Sequence, residues 1–571
     1  MQKKIIRREK ALTAFPAMHP LLQQIYAARG IISADELSYE LPCLLPFTDL
    51  LNIEQAVQLL FQSLINNENI LIVGDFDADG ATSTALAVRA LRSFGARNVG
   101  YLVPNRFTEG YGLSEELVKI AKKRQPDLII TVDNGISNHA GVIAAKALGI
   151  KVLITDHHLP GDTLPPADVI VNPNQPFDQF ASKNIAGVGV IFYVMLALRR
   201  YLVAQNWFQQ QNRPEPLMSR FLDLVALGTV ADVVQLDRNN RLLIHQGLKR
   251  IRAGHAIPGI IALLEMANRI PAKIVASDLG FIVGPRLNAA GRLEDMSLGI
   301  ECLLCDDLLK AREIAQQLDQ LNDERRLIEQ EMQTQALQFL KKCEPALKQL
   351  PRGLCLFDPD WHQGVIGILA SRIKDRYHRP VIAFALANEE ELKGSARSIK
   401  GIHIRDVLSM IYAKWPNLIG KFGGHAMAAG LTIPRAAFEN FSKAFNEIVS
   451  AQLKESDLEQ CLISDGELVA QDLNLTVAEM IRAGGPWGQA FEEPLFDGTF
   501  AILEQRLVGG KHLKMTLALQ ELILDAIAFN IDLTNWPNYR AEYVKIAYRM
   551  DVNEFRGKRQ IQLIIEHLEA N

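Results

Sequence analysis

Ile70-Leu71-Ile72-Val73-Gly74-Asp75-Phe76-Asp77-Ala78-Asp79-Gly80 runs an unbroken apolar segment straight into three carboxylates on alternate residues and then a glycine. An apolar run without polar alternation predicts a strand covered on both faces, the kind found inside parallel sheets. Three like charges this close repel in a low-dielectric pocket, so either their pKa values rise or a divalent cation neutralises them. An EF-hand loop would share the Asp-x-Asp-x-Asp-Gly spacing. Its twelfth position here is Leu86, where a bidentate Glu is required, and the segment before it is strand-like. The expectation is therefore a metal site at the carboxyl end of a sheet strand.

Outward from that stretch, strands are expected at Val99–Val103, Leu128–Val132, Val152–Thr155 and Val169–Val171, with helical patterns at 81–94 and 137–148 between them. This alternation predicts a parallel α/β sheet. Residues 1–60 read as an N-terminal extension and 61–305 as the first domain. Apolar positions at Ile314, Leu318, Leu321, Ile328 and Met332 predict one long bridging helix over 306–346. A second α/β unit is expected over 347–455, with strands near Leu354–Phe357, Val381–Phe384 and Leu392–Ala396 and helices near 364–376 and 436–451. Over 456–571, turn residues at Asp497-Gly498, Gly509-Gly510 and Arg556-Gly557 separate short strands, predicting a small β-barrel of the OB type.

The net charge of −4 over 571 residues gives no global attraction for a polyanion, so nucleic acid must be held by a local field. Glu391–Gly430, with six basic residues against two acids, is a candidate, and an ordinary solvated face is the alternative. The alternating charges at the start do not resemble a secretory signal. The longest uncharged apolar window, Ile185–Leu198, falls short of the roughly 20 residues of a membrane span. Six scattered cysteines contain only one C-x-x-C pair, Cys302 and Cys305, too few for a structural zinc site. Reduced, buried thiols and a cytoplasmic location without membrane contact are expected.

Ligands of open α/β sheets bind beyond the carboxyl ends of the strands. Those ends carry Asp75, Asp77 and Asp79, then Asp133, then Asp156-His157-His158, and Asp232 follows an apolar helix and an Ala-Leu-Gly-Thr turn. Singly, Asp133 or Asp156 serves equally well as a helix N-cap, and His158 as a satisfied core imidazole. Jointly, carboxylates with imidazoles and no thiolate suit Mn²⁺ or Mg²⁺ better than Zn²⁺. The ligands suffice for two ions bridged by one carboxylate, Asp133 being the candidate, as in displacement at phosphorus. In the second unit, Gly423-Gly424 lets backbone amides approach a phosphate, with His425 and Arg397 beside it. The alternative is a tight turn. On the barrel, Arg506, Lys511, His512 and Lys514, with Arg556, Lys558 and Arg559, interleave with Phe529 and Phe555 as a single-strand groove would, the alternative being a stabilising surface.

Asp75-Phe-Asp-Ala-Asp-Gly80, Val132-Asp-Asn-Gly135 and Asp156-His-His158 resemble the successive motifs of DHH-family phosphoesterases. Gly284-Pro-Arg-Leu-Asn-Ala-Ala-Gly-Arg292 and Gly423-Gly-His-Ala-Met-Ala-Ala-Gly430 resemble the RecJ family within it, over nearly the whole chain. The resemblance implies a DHH domain, a connecting helix, a DHH-associated domain and an OB-fold. It implies Asp75, Asp77, Asp79, Asp133, His157 and Asp232 as ligands of two Mn²⁺ or Mg²⁺ ions, His158 near the reacting phosphate, and Arg286, Asn288, Arg292, Ser395, Arg397, Ser398, Gly423, Gly424 and His425 on the substrate. The implied activity is 5′→3′ degradation of single-stranded DNA to mononucleotides in recombination and repair, beside single-strand-binding protein and a helicase. A phosphodiesterase of short oligonucleotides or cyclic dinucleotides would not need the barrel, and a silent binding scaffold would not need every acid intact.

Overall fold

The structure, a computed structural model, describes residues 3–9, 18–106, 109–343, 350–531, 533, 536–555 and 557–570. Arg556, the Phe555 side chain and residues 344–346 lie outside the described residues.

Five parallel strands build the first sheet: β1 (Ile70–Val73), β2 (Val99–Leu102), β3 (Leu128–Val132), β4 (Lys151–Thr155) and β5 (Val169–Val171), ordered β2-β1-β3-β4-β5. Every residue of β1 and β3 is buried, as the unbroken apolar runs require. Helix α1 (Ala78–Phe94) starts directly at the acidic stretch and packs on α2 (Gly187–Ala204) and α3 (Leu222–Ala231). Helix α2 takes in most of the Ile185–Leu198 window and, by length and composition, could cross a membrane. Two-thirds of it is buried inside the fold, so it is a core helix. Residues Ala226–Thr229 are helical, not a turn, and Asp232 caps the end of α3. Helix α4 (Gly284–Leu293) carries the Gly-Pro-Arg-Leu-Asn motif, and α5 (Leu308–Cys343) is the long helix.

The second sheet is mixed. Strands β6 (Leu354–Phe357) and β7 (Val381–Leu386) run parallel, while β8 (Glu391–Arg397), β9 (Lys421–Gly424) and β10 (Ala428–Pro434) are antiparallel, in the order β9-β10-β8-β7-β6. The β9–β10 hairpin and the helix Ile404–Lys414 were not expected from the sequence. Helices α6 (Ile366–Tyr377) and Phe438–Gln452 accompany the sheet.

A closed barrel ends the chain: β11 (Phe496–Val508), β12 (His512–Leu519), β13 (Leu522–Ala528), β14 (Tyr543–Phe555) and β15 (Lys558–Ala570), with β13 and β15 parallel. Gly509-Gly510 makes the β11–β12 turn, both residues at positive φ, whereas Asp497-Gly498 lies inside β11, contrary to the turn expected there. The chain divides into two compact units, Arg8–Asn322 with Ser464–Asn571, and Met1–Arg7 with Asp323–Ile463. In the first, Tyr26 stacks on Trp487 at 5.8 Å and donates a hydrogen bond to the Gly484 carbonyl, and Gln489 accepts one from the Leu236 amide, so the barrel side shares the core of the parallel-sheet side. The buried-thiol expectation holds for Cys302 but not for Cys461, which is exposed.

Candidate active site

The end of β1 turns on two glycines. A Cβ on Gly74 would stand 2.2 Å from Thr84 Oγ1, and one on Gly80 would stand 2.5 Å from the Asp75 carbonyl oxygen. That close turn places the three carboxylates differently. Asp75 is buried and accepts from the Phe76 amide at 2.7 Å. Asp77 is the N-cap of α1, accepting from the Asp79 and Gly80 amides. Asp79 accepts from the Gly187 and Val188 amides at 2.7 and 3.0 Å, so it closes the N-terminus of α2.

Asp133 follows β3 with φ 62°, a left-handed conformation that costs energy for any non-glycine residue and concentrates at functional sites. It is not an N-cap; the helix after it is capped at Asn138. The Asn134 side chain ties the ends of β1 and β3 by donating to the Val73 and Val132 carbonyls. Asp156, beyond β4, accepts from the Ile136, His157 and His158 amides and lies 2.7 Å from His158 Nδ1, and so orients the His158 imidazole.

His157 Nε2 lies 3.1 Å from Asp133 Oδ1 and 3.5 Å from Asp232 Oδ2. Among the described residues, neither His157 Nε2 nor Asp133 Oδ1 has a hydrogen-bond partner, although both are buried. Three groups offer ligand atoms within 4.8 Å of one another: Asp133, His157 and His158; Asp79, His157 and Asp232; Asp75, Asp77 and Asp133. Asp133 and His157 each belong to two groups, which is what ions sharing a bridging carboxylate need. The hard oxygen donors and two orphaned buried atoms fit divalent cations of the Mn²⁺ and Mg²⁺ type.

The electrostatics agree. Burial, then the Asp77 charge, pushes Asp75 up to about 8. Burial and neighbouring carboxylates also raise Asp79 and Asp133 well above the usual range, and burial with Asp77 raises Asp232. Burial pulls His157 down. Burial opposes the charge on His158, but the Asp156 carboxylate outweighs it and raises the imidazole to about 9. Asp156 is lowered to about 2, because His158 outweighs a burial that acts to raise it.

Two residues here were missed from the sequence. Arg106 lies over the Phe76 ring at 3.9 Å, donates to the Gly291 carbonyl and interacts with the Asp75 and Asp77 charges. Tyr111 donates to the Asp133 carbonyl at 3.3 Å, and its Oη lies 3.5 Å from His158 Nδ1. Both follow β2, a strand end whose downstream residues were not considered. Of the residues on α4, Asn288 accepts from the Ala78 amide at the metal loop. Arg286 turns its guanidinium to Asp319 and the Ile282 carbonyl. Arg292 is half buried.

In the other unit, Ser395, Gly430 and Gly423 lie side by side across β8, β10 and β9. Cβ atoms on Gly423 and Gly430 would meet nothing within 4 Å, so the backbone there is open to a ligand. Gly424, at φ 137°, would put a Cβ 2.5 Å from the Ala428 carbonyl oxygen and admits only glycine. His425 is exposed at the hairpin end, its amide donating to the Ala428 carbonyl. Arg397 donates to Ser395 Oγ at 3.1 Å. Ser398 departs from the expectation: it is buried, and its hydroxyl donates to the Ile402 carbonyl at 2.8 Å, holding the loop after β8. On the barrel, Arg506 pairs with Glu504, Lys514 with Asp525, and Arg559 with Glu479 and Glu554, so acids offset part of the expected cationic surface.

Comparison with known proteins gives three family-model matches: the DHH family N-terminal domain over residues 69–229, the DHHA1 domain over 350–451 and the RecJ OB domain over 464–567. The chain is 55% identical to the single-stranded-DNA-specific exonuclease RecJ of Salmonella typhimurium, over 99% of both chains. It is 54% identical to that of Escherichia coli over the same shares. Among solved structures, RecJ of Thermus thermophilus in complex with Mn²⁺ superposes with a TM-score of 0.78 at 30% identity, over 96% of this chain and 76% of that one. The same protein in complex with Mg²⁺ gives 0.73 at 27% identity, over 96% and 74%.

Proposed function

The chain belongs to the RecJ family of DHH phosphoesterases, and from that premise we propose that its carboxylate–histidine centre removes mononucleotides from the 5′ end of single-stranded DNA. It is a metal-dependent single-strand-specific exonuclease. The observation that carries the assignment of the site is that residues from four strand and helix ends form three groups, each with its ligand atoms within 4.8 Å of one another, Asp133 being shared between two of them.

Asp75, Asp77, Asp79, Asp133, His157 and Asp232 would hold the ions. Two Mn²⁺ or Mg²⁺ ions bound there supply a lowered pKa for the attacking water, polarised phosphoryl oxygens and stabilisation of the leaving 3′-oxygen. The chain's own groups do the rest. Asp156 holds His158 as an imidazolium that would face the reacting phosphate, and the Tyr111 hydroxyl stands 3.5 Å from the same Nδ1. Arg106 brings a guanidinium whose charge acts on Asp75 and Asp77, and it would meet a phosphate oxygen. The open Gly423–Gly430 backbone with Arg397 and His425 would bind another phosphate of the strand. The family reading extends to recombination and repair, and to single-strand-binding protein and a helicase as partners.

The test compares 5′-labelled and 3′-labelled single strands in Mn²⁺. Early release of labelled mononucleotide from the 5′-labelled strand alone supports the proposal. Early release from the 3′ label, or cleavage only of cyclic or very short substrates, refutes it.

A further inference from the structure

The run Ala276–Asp278, Leu279–Val283 and Gly284–Leu293 is one helix whose central five residues are wound as a π turn, a feature common at functional sites. Phe281, within that turn, is 79% exposed. Pro285, Asn288 and Arg292 are half buried, while the intervening residues from Val283 to Gly291 are buried. The spacing i, i+4, i+7, i+11 places these four side chains on one strip of the helix.

The strip begins at the metal centre. Asn288 holds the Ala78 amide, and a Cβ on Gly291 would stand 2.0 Å from the Phe76 carbonyl oxygen. Seven residues at 1.5 Å per residue set Phe281 about 10 Å along the axis from Asn288, the rise of about three stacked nucleotides. The π turn also packs on α3: a Cβ on Gly280 would stand 3.0 Å from Val230 Cγ1, and one on Gly284 3.2 Å from Ala231 Cβ. Helix α3 runs on into Asp232 and Val233, a β-branched residue at φ 61° that is 64% exposed. An apolar side chain therefore flanks a candidate metal ligand, on the element that supports Phe281.

We propose that Phe281 is a base-stacking residue, its ring packing on a nucleobase of the bound strand a few nucleotides from the reacting phosphate. The ring is open, it shares a strip with the site, and every base offers a π-face, so the contact fits an enzyme that must accept any sequence. Loss of one such stack costs on the order of tenfold in affinity. This rests on the exonuclease reading, and the test separates the two.

The full-length protein with Mn²⁺, its Phe281→Ala variant and its Phe281→Trp variant are compared on an oligothymidylate and on a strand of equal length whose internal sites are abasic. Phe281→Ala is expected to raise KM about tenfold on the oligothymidylate, with kcat little changed and no difference from the parent on the abasic strand. Phe281→Trp restores KM, and its added fluorescence is quenched by oligothymidylate. Unchanged KM on the oligothymidylate, or equal losses on both strands, overturns the proposal and marks the ring as structural or as a protein-docking residue. If the parent cleaves neither strand, the exonuclease reading fails, and the Trp quenching still decides whether the ring meets a base.

Discussion

At the scale of single residues, the centre is an arrangement that burial and repulsion destabilise until cations arrive. Asp133 bears the most of this: a left-handed backbone, a buried orphan oxygen and like charges around it. Removing its carboxylate relieves the last two costs but not the first, since alanine is no easier than aspartate at positive φ, so Asp133→Ala should stay close to the parent in stability without metal while losing on the order of a thousandfold or more in turnover. Thermal melting in chelator beside a Mn²⁺-dependent rate measurement checks both halves; near-normal turnover would remove Asp133 from the centre. The same repulsion sets a pH dependence. Asp75 has its folded value raised to about 8 from 3.8, so the folded metal-free chain binds the extra proton across that window. Its contribution is fully present below 3.8 and lost as pH rises through 8, and Asp79, Asp133 and Asp232 act in the same direction. His158, raised to about 9, adds stability that is likewise lost toward high pH, while the lowered His157 opposes it below 6.5. In chelator the melting temperature should therefore fall between pH 5 and pH 8.5, and Mn²⁺ should raise it more at the higher pH. A melting temperature in chelator that rises across this range would contradict the assigned shifts.

At the scale of elements, the site depends on glycines where helices approach the carboxylates. Gly228 in α3 is the clearest case, since a Cβ there would stand 2.2 Å from Thr82 Oγ1 and 2.7 Å from Asp79 Oδ1. Gly228→Ala should destabilise the protein by about 1–3 kcal/mol and weaken Mn²⁺ binding by displacing Asp79. Urea unfolding with a parallel Mn²⁺ titration measures this, and unchanged values for both would show that α3 can move aside. Much of this level was legible in the residues. The runs Ile70–Val73, Leu128–Val132, Val169–Val171 and Leu354–Phe357 are strands with the bounds their apolar character suggested, because both faces are covered and nothing else competes. What was lost was lost for local reasons. Lys421–Gly424 and Ala428–Pro434 are strands despite glycine and alanine, because β10 pairs with β8 and β9 pairs with β10, whatever their propensity. Ala226–Thr229, expected as a turn, is helical, and Gly228 is a contact position inside a buried helix. Ser398 sits next to Arg397 in sequence, but its side chain turns inward after the strand ends. Arg106 and Tyr111 carry no motif, and only the rule about strand ends points to them.

At the scale of the whole molecule, the barrel is no detachable module. Trp487 and Phe491 stack on Tyr26, and Phe491 lies under the Arg241 guanidinium at 4.3 Å. Cutting the chain near residue 461 would strip this cover, so barrel function is better tested by point changes. Arg506 and Lys511 at the β11–β12 hairpin are the choice; if both contact phosphates, replacing both with Ala should make the slope of log affinity against log salt shallower by about 1.4. An unchanged slope on long single strands would place the strand elsewhere.

The central claim is that one carboxylate, Asp133, joins two metal positions in a single hydrolytic centre. Calorimetric titration of Mn²⁺ into the metal-free parent and the Asp133→Ala variant, with single-strand hydrolysis followed on the same samples, addresses it most directly. The account predicts two ions bound per chain in the parent, and in the variant the loss of at least one ion together with hydrolysis. Two ions still bound by Asp133→Ala with hydrolysis retained would contradict it.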